Sequence, residues 1–242
     1  MSKYVVQIQN KRTGSTFLQN SLNTHPDLVG IDEVFVNVAR RDEIRKSGFR
    51  PYVTTTYNGF NQPQNYIKQV LWAKYPNSNV TFKLMYNQVR HHKGLLQFIK
   101  TDKIPIIHLK RYNLLKQAVS YIRQTKMPAL TPSGLFDYVV MYEREAKQWT
   151  NEFKDHDVLE LFYEDMIGEE KKGFTYLSEY ANMLICTFFG VPVIPMFSDT
   201  KKNSTNIWDH LTDKQGTIKK FKNTKYDWML NESKSEERQS AM

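Results

Sequence analysis

Lys11, Arg12, Gly14, Ser15 and Thr16 form the stretch of this chain best suited to holding an anion. They follow an apolar run, Tyr4-Val5-Val6-Gln7-Ile8, which reads as a buried strand, and precede Phe17, Leu18 and Leu22, spaced like one face of a helix. The order is strand, tight polar turn, helix start. Gly14 lets the backbone turn sharply and approach a ligand closely. The amides of Ser15, Thr16 and Phe17 would point out of the helix N-terminus, which carries about half a positive charge and is a ready anion site. Two cations and two hydroxyls complete a pocket for a phosphate or sulfate group. The stretch is not a Walker A loop, which needs Gly-x-x-x-x-Gly-Lys-Ser/Thr. Here the first Gly is absent and the cations precede the single Gly.

A second constellation follows the run Ile106-Ile107-His108-Leu109-Lys110. Arg111 stands at that strand's end, and Ser120 lies on the stripe Asn113, Gln117, Ser120, Gln124 of the next helix. A cation and a hydroxyl so placed can grip one phosphate from two elements, the Arg by a forked pair of hydrogen bonds. For proton transfer the candidate is Glu33, just after Gly30 and near the end of a short strand expected over Val29 to Ile31. His25 and His108 are alternatives, although His108 sits within a buried strand, where a hydrogen-bonded core role is expected.

Further strands are expected over Asn79–Met85 and Val158–Tyr163, with Pro105 near the start of the strand that ends in His108-Leu109. Helical spacing marks 66–75, 95–99, a helix capped by Asn113, a long amphipathic helix over 135–153, a buried helix from Tyr176 to Phe189 ended by Gly190, and a short one around 212–221. Strands alternating with helices predict an α/β fold with a central parallel sheet covered on both faces. In such sheets ligands bind at the carboxyl ends of the strands, where both constellations lie.

The chain has 242 residues, 40% hydrophobic and 24% charged, an ordinary soluble composition that can bury a substantial core. It has no run approaching the roughly 18 apolar residues of a membrane span. The N-terminus enters a strand almost at once, so no signal peptide and a cytoplasmic location are expected. A single cysteine, Cys186, excludes an internal disulfide and argues against a Cys-based metal cluster. The net charge of +9 implies an anionic partner without naming it.

Both constellations resemble the motifs of sulfotransferases that use 3′-phosphoadenosine-5′-phosphosulfate (PAPS): the 5′-phosphosulfate loop at 11–17, and the 3′-phosphate motif in Arg111 and Ser120. The wording Gln117-Ala118-Val119-Ser120 is similar to the bacterial trehalose sulfotransferase type and related carbohydrate sulfotransferases. Phe162-Tyr163-Glu164-Asp165 is similar to the family's Tyr-Glu-Asp-Leu segment, and Lys201-Lys202-Asn203 with Tyr226 to Leu230 resembles its C-terminal end.

The resemblance implies a sulfotransferase fold of the P-loop nucleotide-kinase-like kind in a single domain over 1–230, with a substrate-side insertion or lid at 40–80 and a polar tail at 231–242. It implies transfer of a sulfuryl group from PAPS to a hydroxyl or amine of a small-molecule or glycan acceptor, leaving adenosine 3′,5′-bisphosphate. No metal, nucleic-acid partner or membrane span is implied. Arg12 or Lys11 would stabilise charge on the leaving group. Thr13, Gly14, Ser15, Thr16 and Phe17 would hold the 5′-phosphate, and Arg111 and Ser120 the 3′-phosphate. Lys201 and Lys202 would close over the nucleotide, and Glu33 would take the acceptor's proton. A P-loop-type nucleotide kinase is the first competing class, but the Lys-Ser/Thr pair it needs is missing. A basic nucleotide- or nucleic-acid-binding module without catalysis is the second, although the basic residues are scattered and no binding motif stands out.

Overall fold

The computed structural model describes residues 4–35, 63–125, 130–200 and 207–231. Strands β1 (Tyr4–Gln9), β2 (Leu28–Ile31), β3 (Asn79–Met85), β4 (Ile106–Lys110) and β5 (Val158–Phe162) form a parallel sheet in the order β2-β3-β1-β4-β5. A parallel sheet is covered on both faces, so its strands read as nearly continuous apolar runs. β1 shows this: Val6 and Ile8 point into one core cluster and Val5 into another.

Helices α1 (Ser15–Leu22) and α8 (Glu179–Phe189) cover the face of Val5, Ile107 and Leu161. The opposite face packs on α2 (Pro63–Tyr66, continuing as a π-turn over Ile67–Trp72), α4 (Lys93–Thr101) and α6 (Pro132–Glu152), through Tyr66, Leu71, Leu95, Trp149 and Phe153. Between these lie α3 (Tyr86–His91), α5 (Leu114–Thr125) and α7 (Tyr163–Met166); α9 is Lys214–Phe221. A third cluster joins α5 and α6 to Ile207, Phe221, Tyr226 and Met229.

The α/β architecture is the one expected, and the strand over Asn79–Met85 has the expected bounds. The expected helix from Tyr176 is corrected: Tyr176 belongs to a strand, and the helix begins at Glu179, where Ser178 Oγ accepts from the Ala181 amide at 3.1 Å. That strand, β7 (Phe174–Leu177), lies in an antiparallel sheet absent from the expectations, between β6 (Ile167–Lys171) and the two-residue β8 (Phe197–Ser198). Its hairpin turns at Lys172 and Gly173, both with positive φ (52° and 82°), a primed geometry that Asn-Gly signals more clearly than Lys-Gly.

Of the expected lid, 40–62 lies outside the described residues, and 63–80 forms α2 and the start of β3, with Tyr66 and Ile67 buried in the core. Nearly all of the expected tail, 232–242, also lies outside them. Among the described residues no helix is long and apolar enough to cross a membrane.

Candidate functional site

β1 lies between β3 and β4, so the chain leaves it toward one side of the sheet and later returns on the other. Such a switch point parts the flanking loops and opens a crevice at the strands' carboxyl ends. The loops after β1 and β4 meet there. Gln117 Nε2 donates to the Lys11 carbonyl at 2.7 Å, and Arg111 Nη1 to the Arg12 carbonyl at 3.2 Å.

The β1 loop is held in uncommon backbone. Arg12 has φ 63° and Gly14 φ 84°, both left-handed, and Gly14 is the N-cap of α1. A side chain at Gly14 would also collide with Tyr163, whose Cδ2 lies 2.0 Å from where a Cβ would stand. The close approach that demands glycine is therefore that of the Tyr163 ring. The first helical bond of α1 runs from the Leu18 amide to the Gly14 carbonyl, so the amides of Ser15, Thr16 and Phe17 are the first-turn donors that a helix leaves free for an external acceptor.

Arg12 reaches across to α5, where Nε donates to Ser120 Oγ at 2.9 Å and Nη1 to Gln124 Oε1 at 3.3 Å. Arg12, Arg111 and Ser120 are thus brought together. The Arg12 pKa is lowered by burial and by repulsion from Arg111 and Arg123, the mark of cations gathered in one place. Arg111 is fixed by Glu164, which accepts from its Nε at 3.4 Å and from the amides of Tyr112 (2.9 Å) and Asn113 (3.3 Å) at the start of α5. The Arg111 guanidinium also lies 4.8 Å from the centre of the Tyr163 ring.

A cavity of about 210 Å³ opens on the α1 face of the loop, lined by Lys11, Arg12, Ser15, Thr16, Glu33 and Lys83 among others. Glu33 enters it from the end of β2, and Glu33 Oε2 accepts from Gln88 Nε2 at 3.2 Å. Other expected residues stand elsewhere. The Thr13 side chain is buried and donates to the Asn10 carbonyl at 3.1 Å, and the Phe17 ring is in the core, leaving its amide at the helix start. Lys201 and Lys202 lie outside the described residues.

His25 is removed as an alternative base. It precedes β2, at the amino ends of the strands and so at the opposite end of the sheet from the loop, with Nδ1 accepting from the Asp27 amide (3.1 Å) and Nε2 donating to the Pro192 carbonyl (2.9 Å). His108 has the expected core role: Tyr86 Oη and His108 Nε2 are 2.7 Å apart, and burial lowers the imidazole's pKa.

Sequence reasoning missed Lys83, which is 2% exposed and paired with Asp32 at 2.9 Å at the edge of the same cavity. Its signal was a charge within the otherwise mostly apolar run Val80–Met85. Gln117 and Tyr163 were also missed as loop supports, because their partners lie far away in sequence.

No family profile matches the chain, and no curated protein does. Among solved structures, a sulfotransferase from Alicyclobacillus acidocaldarius is similar, with a TM-score of 0.48 and 13% identity over 86% of this chain and 89% of that one.

Proposed function

We propose that this protein is a PAPS-dependent sulfotransferase, with the nucleotide on the α1 face of the β1 loop. The observation that carries the reading is the convergence of Arg12, Arg111 and Ser120 beside the open N-terminus of α1, with Arg12, Ser15, Thr16 and Glu33 lining one cavity. Free amides, hydroxyls and guanidinium groups are the donor set that phosphate and sulfate esters require.

The first-turn amides and hydroxyls of Ser15 and Thr16 hold the 5′-phosphate. Arg111 and Ser120 would hold the 3′-phosphate, Ser120 being the group that Arg12 now contacts. PAPS supplies an activated sulfuryl group, and the chain's work is positioning and charge stabilisation, as in phosphoryl transfer. Arg12 stabilises charge on the leaving group, with Lys11 beside it. Glu33 accepts the proton of the acceptor's hydroxyl or amine. A polar cavity suits a glycan or small polar metabolite.

The test is thermal unfolding with adenosine 3′,5′-bisphosphate, adenosine 5′-monophosphate, ATP–Mg²⁺ and an oligonucleotide in parallel. The bisphosphate is expected to stabilise the fold by about 2–3 kcal/mol at a hundredfold excess over its Kd, and the monophosphate by much less. Arg111→Ala is expected to lose about 1.5–3 kcal/mol of bisphosphate binding. Equal shifts from the two adenosine phosphates, or a larger one from ATP–Mg²⁺, would overturn the reading.

A further inference from the structure

The β1 loop has a second side. Side chains alternate along a strand, so Phe162 and Lys110 at the ends of β5 and β4 point to the face opposite Leu161 and Leu109, toward α6. There a cavity of about 660 Å³ opens between the strand ends, α6 and the C-terminal turn that carries Trp228, with Asn10 and Thr13 of the loop in its wall. That volume lies within the range of about 300–1,000 Å³ typical of small-molecule sites.

Its walls are flat and aromatic. Tyr112 and Phe162 stack face to face, with centroids 3.9 Å apart and planes 7° from parallel. Tyr86 and Tyr142 add buried rings, and Trp228 a half-buried one. The two rings cover each other's facing sides, and the rest of the stack, with the rings of Tyr86, Tyr142 and Trp228, makes a flat apolar wall against which a planar ring can lie.

Its charge is positive. Lys110 Nζ lies 4.7 Å from the centre of the Phe162 ring. Lys147 and Lys225 share a single carboxylate, Glu143. Burial pushes the Glu143 carboxyl up, but hydrogen bonds from Lys225, Tyr226 and Lys147 outweigh it and hold the group at about 2. One carboxylate between two ammonium groups leaves a surplus cation at the cavity wall.

We propose that this cavity is a second ligand site, for a planar aromatic molecule carrying an acidic group. The rings take the aromatic plane, and the lysines around Glu143 take the acid. The site's aromatic wall and the lysines around Glu143 stand apart from Arg12, Ser15 and Thr16, which line the cavity on the other face of the sheet, and Arg111 lies between the two and lines this one. The proposal does not depend on the sulfotransferase reading.

The experiment is calorimetric titration of the full chain with 2-naphthoate, the neutral isostere 2-naphthylmethanol and the cation 2-naphthylmethylamine. Naphthoate is expected to bind at least about tenfold tighter than the alcohol, and the amine more weakly still. Ala146→Trp places an indole in the cavity from α6 and is expected to weaken naphthoate binding at least tenfold with an unchanged melting curve. Phe162→Leu removes the stacked ring and is expected to weaken it severalfold, so the test stands even if the tryptophan variant misfolds. Saturating adenosine 3′,5′-bisphosphate is expected to change the naphthoate Kd by less than about threefold. Absent naphthoate binding, no preference for the acid, indifference to both variants, or full competition by the bisphosphate would each overturn the proposal.

Discussion

On the α6 face of the sheet, buried His108 meets partners at both ring nitrogens: Tyr86 Oη lies 2.7 Å from Nε2, and Glu160 stands 3.6 Å from Nδ1, itself paired with Lys110 at 2.7 Å. On the α1 face, Gln7, Gln9 and Thr81 each hold a buried polar atom with no partner among the described residues, as do Gln19 and Ser21 of α1. Each such atom costs about 1–3 kcal/mol if it stays unsatisfied. The α6 face also holds unsatisfied atoms, in the indoles of Trp72 and Trp149, so the two faces differ in what the polar groups of the strands themselves contribute. Under α6 they close a network that fixes the strand ends around a rigid aromatic cavity. Under α1 they weaken the seat of the helix whose N-terminus lies in the proposed anion site. A helix seated on unsatisfied groups can adjust when a ligand arrives, and its stability is the more sensitive to that ligand.

The largest effect expected on this contrast is catalytic and confined to the α1 face. Glu33→Gln keeps the side chain's shape and an acceptor for Gln88 but removes its basicity. Turnover with a competent acceptor is expected to fall by about 10²–10⁴-fold, the usual share of general-base catalysis, with bisphosphate affinity preserved. Normal turnover would reassign the base, and joint loss of turnover and affinity would make Glu33 structural.

On the α6 face, Tyr86→Phe strips the His108 Nε2 of its donor and is expected to lower unfolding stability by about 1–3 kcal/mol in denaturant titration. A neutral result would mean that the network contributes nothing to stability, and the contrast would collapse.

Acid should act on the same network. Burial holds the His108 pKa below its ordinary 6.5, so its contribution is complete above pH 6.5 and is lost as pH falls below it. Glu160 is held at about 2 by His108 and, against its partial burial, by Lys110, so its contribution is present above the ordinary 4.5 and is lost as pH falls from there toward 2. Stability is expected to be level above pH 6.5 and to decline below it by at most about 1.4 kcal/mol per pH unit for each proton taken up. His108→Gln should shallow the limb between pH 6.5 and 5, and an unchanged limb would place its origin elsewhere.

The smallest expected effect runs the other way. Thr81→Val replaces an unpartnered hydroxyl with a methyl of similar size and is expected to raise stability by about 1 kcal/mol. A loss instead would show that the Thr81 hydroxyl has a partner, and that the α1 face is satisfied after all.

Much of this arrangement is legible in the chain because it depends on neighbours in sequence. An apolar run, a polar turn with one glycine and a 3.6-residue stripe are local patterns, and they place β1, the loop and α1 correctly. Asn113 caps α5 as read, with its Oδ1 accepting from the Lys116 amide at 2.9 Å. The β6–β7–β8 sheet was not legible because its strands are short and β8 pairs only after α8 returns the chain. Lys83 carried a visible signal, yet nothing local says that Asp32 waits for it just past the end of the neighbouring strand.

The sequence by itself determined the parallel α/β layering, the tight polar turn after β1 and the identity of the cations and hydroxyls gathered there, because backbone geometry and side-chain chemistry are local. Only the tertiary structure decided that Arg12 would rest on Ser120, that the Tyr163 ring would press on Gly14, that His25 would stand at the other end of the strands, and that the loop would have a polar cavity on one side and an aromatic one on the other. Each of these follows from strand order and the parity of side chains along the strands. Those are set by pairing between residues as far apart in sequence as Val6 and Ile106, which no local window can register.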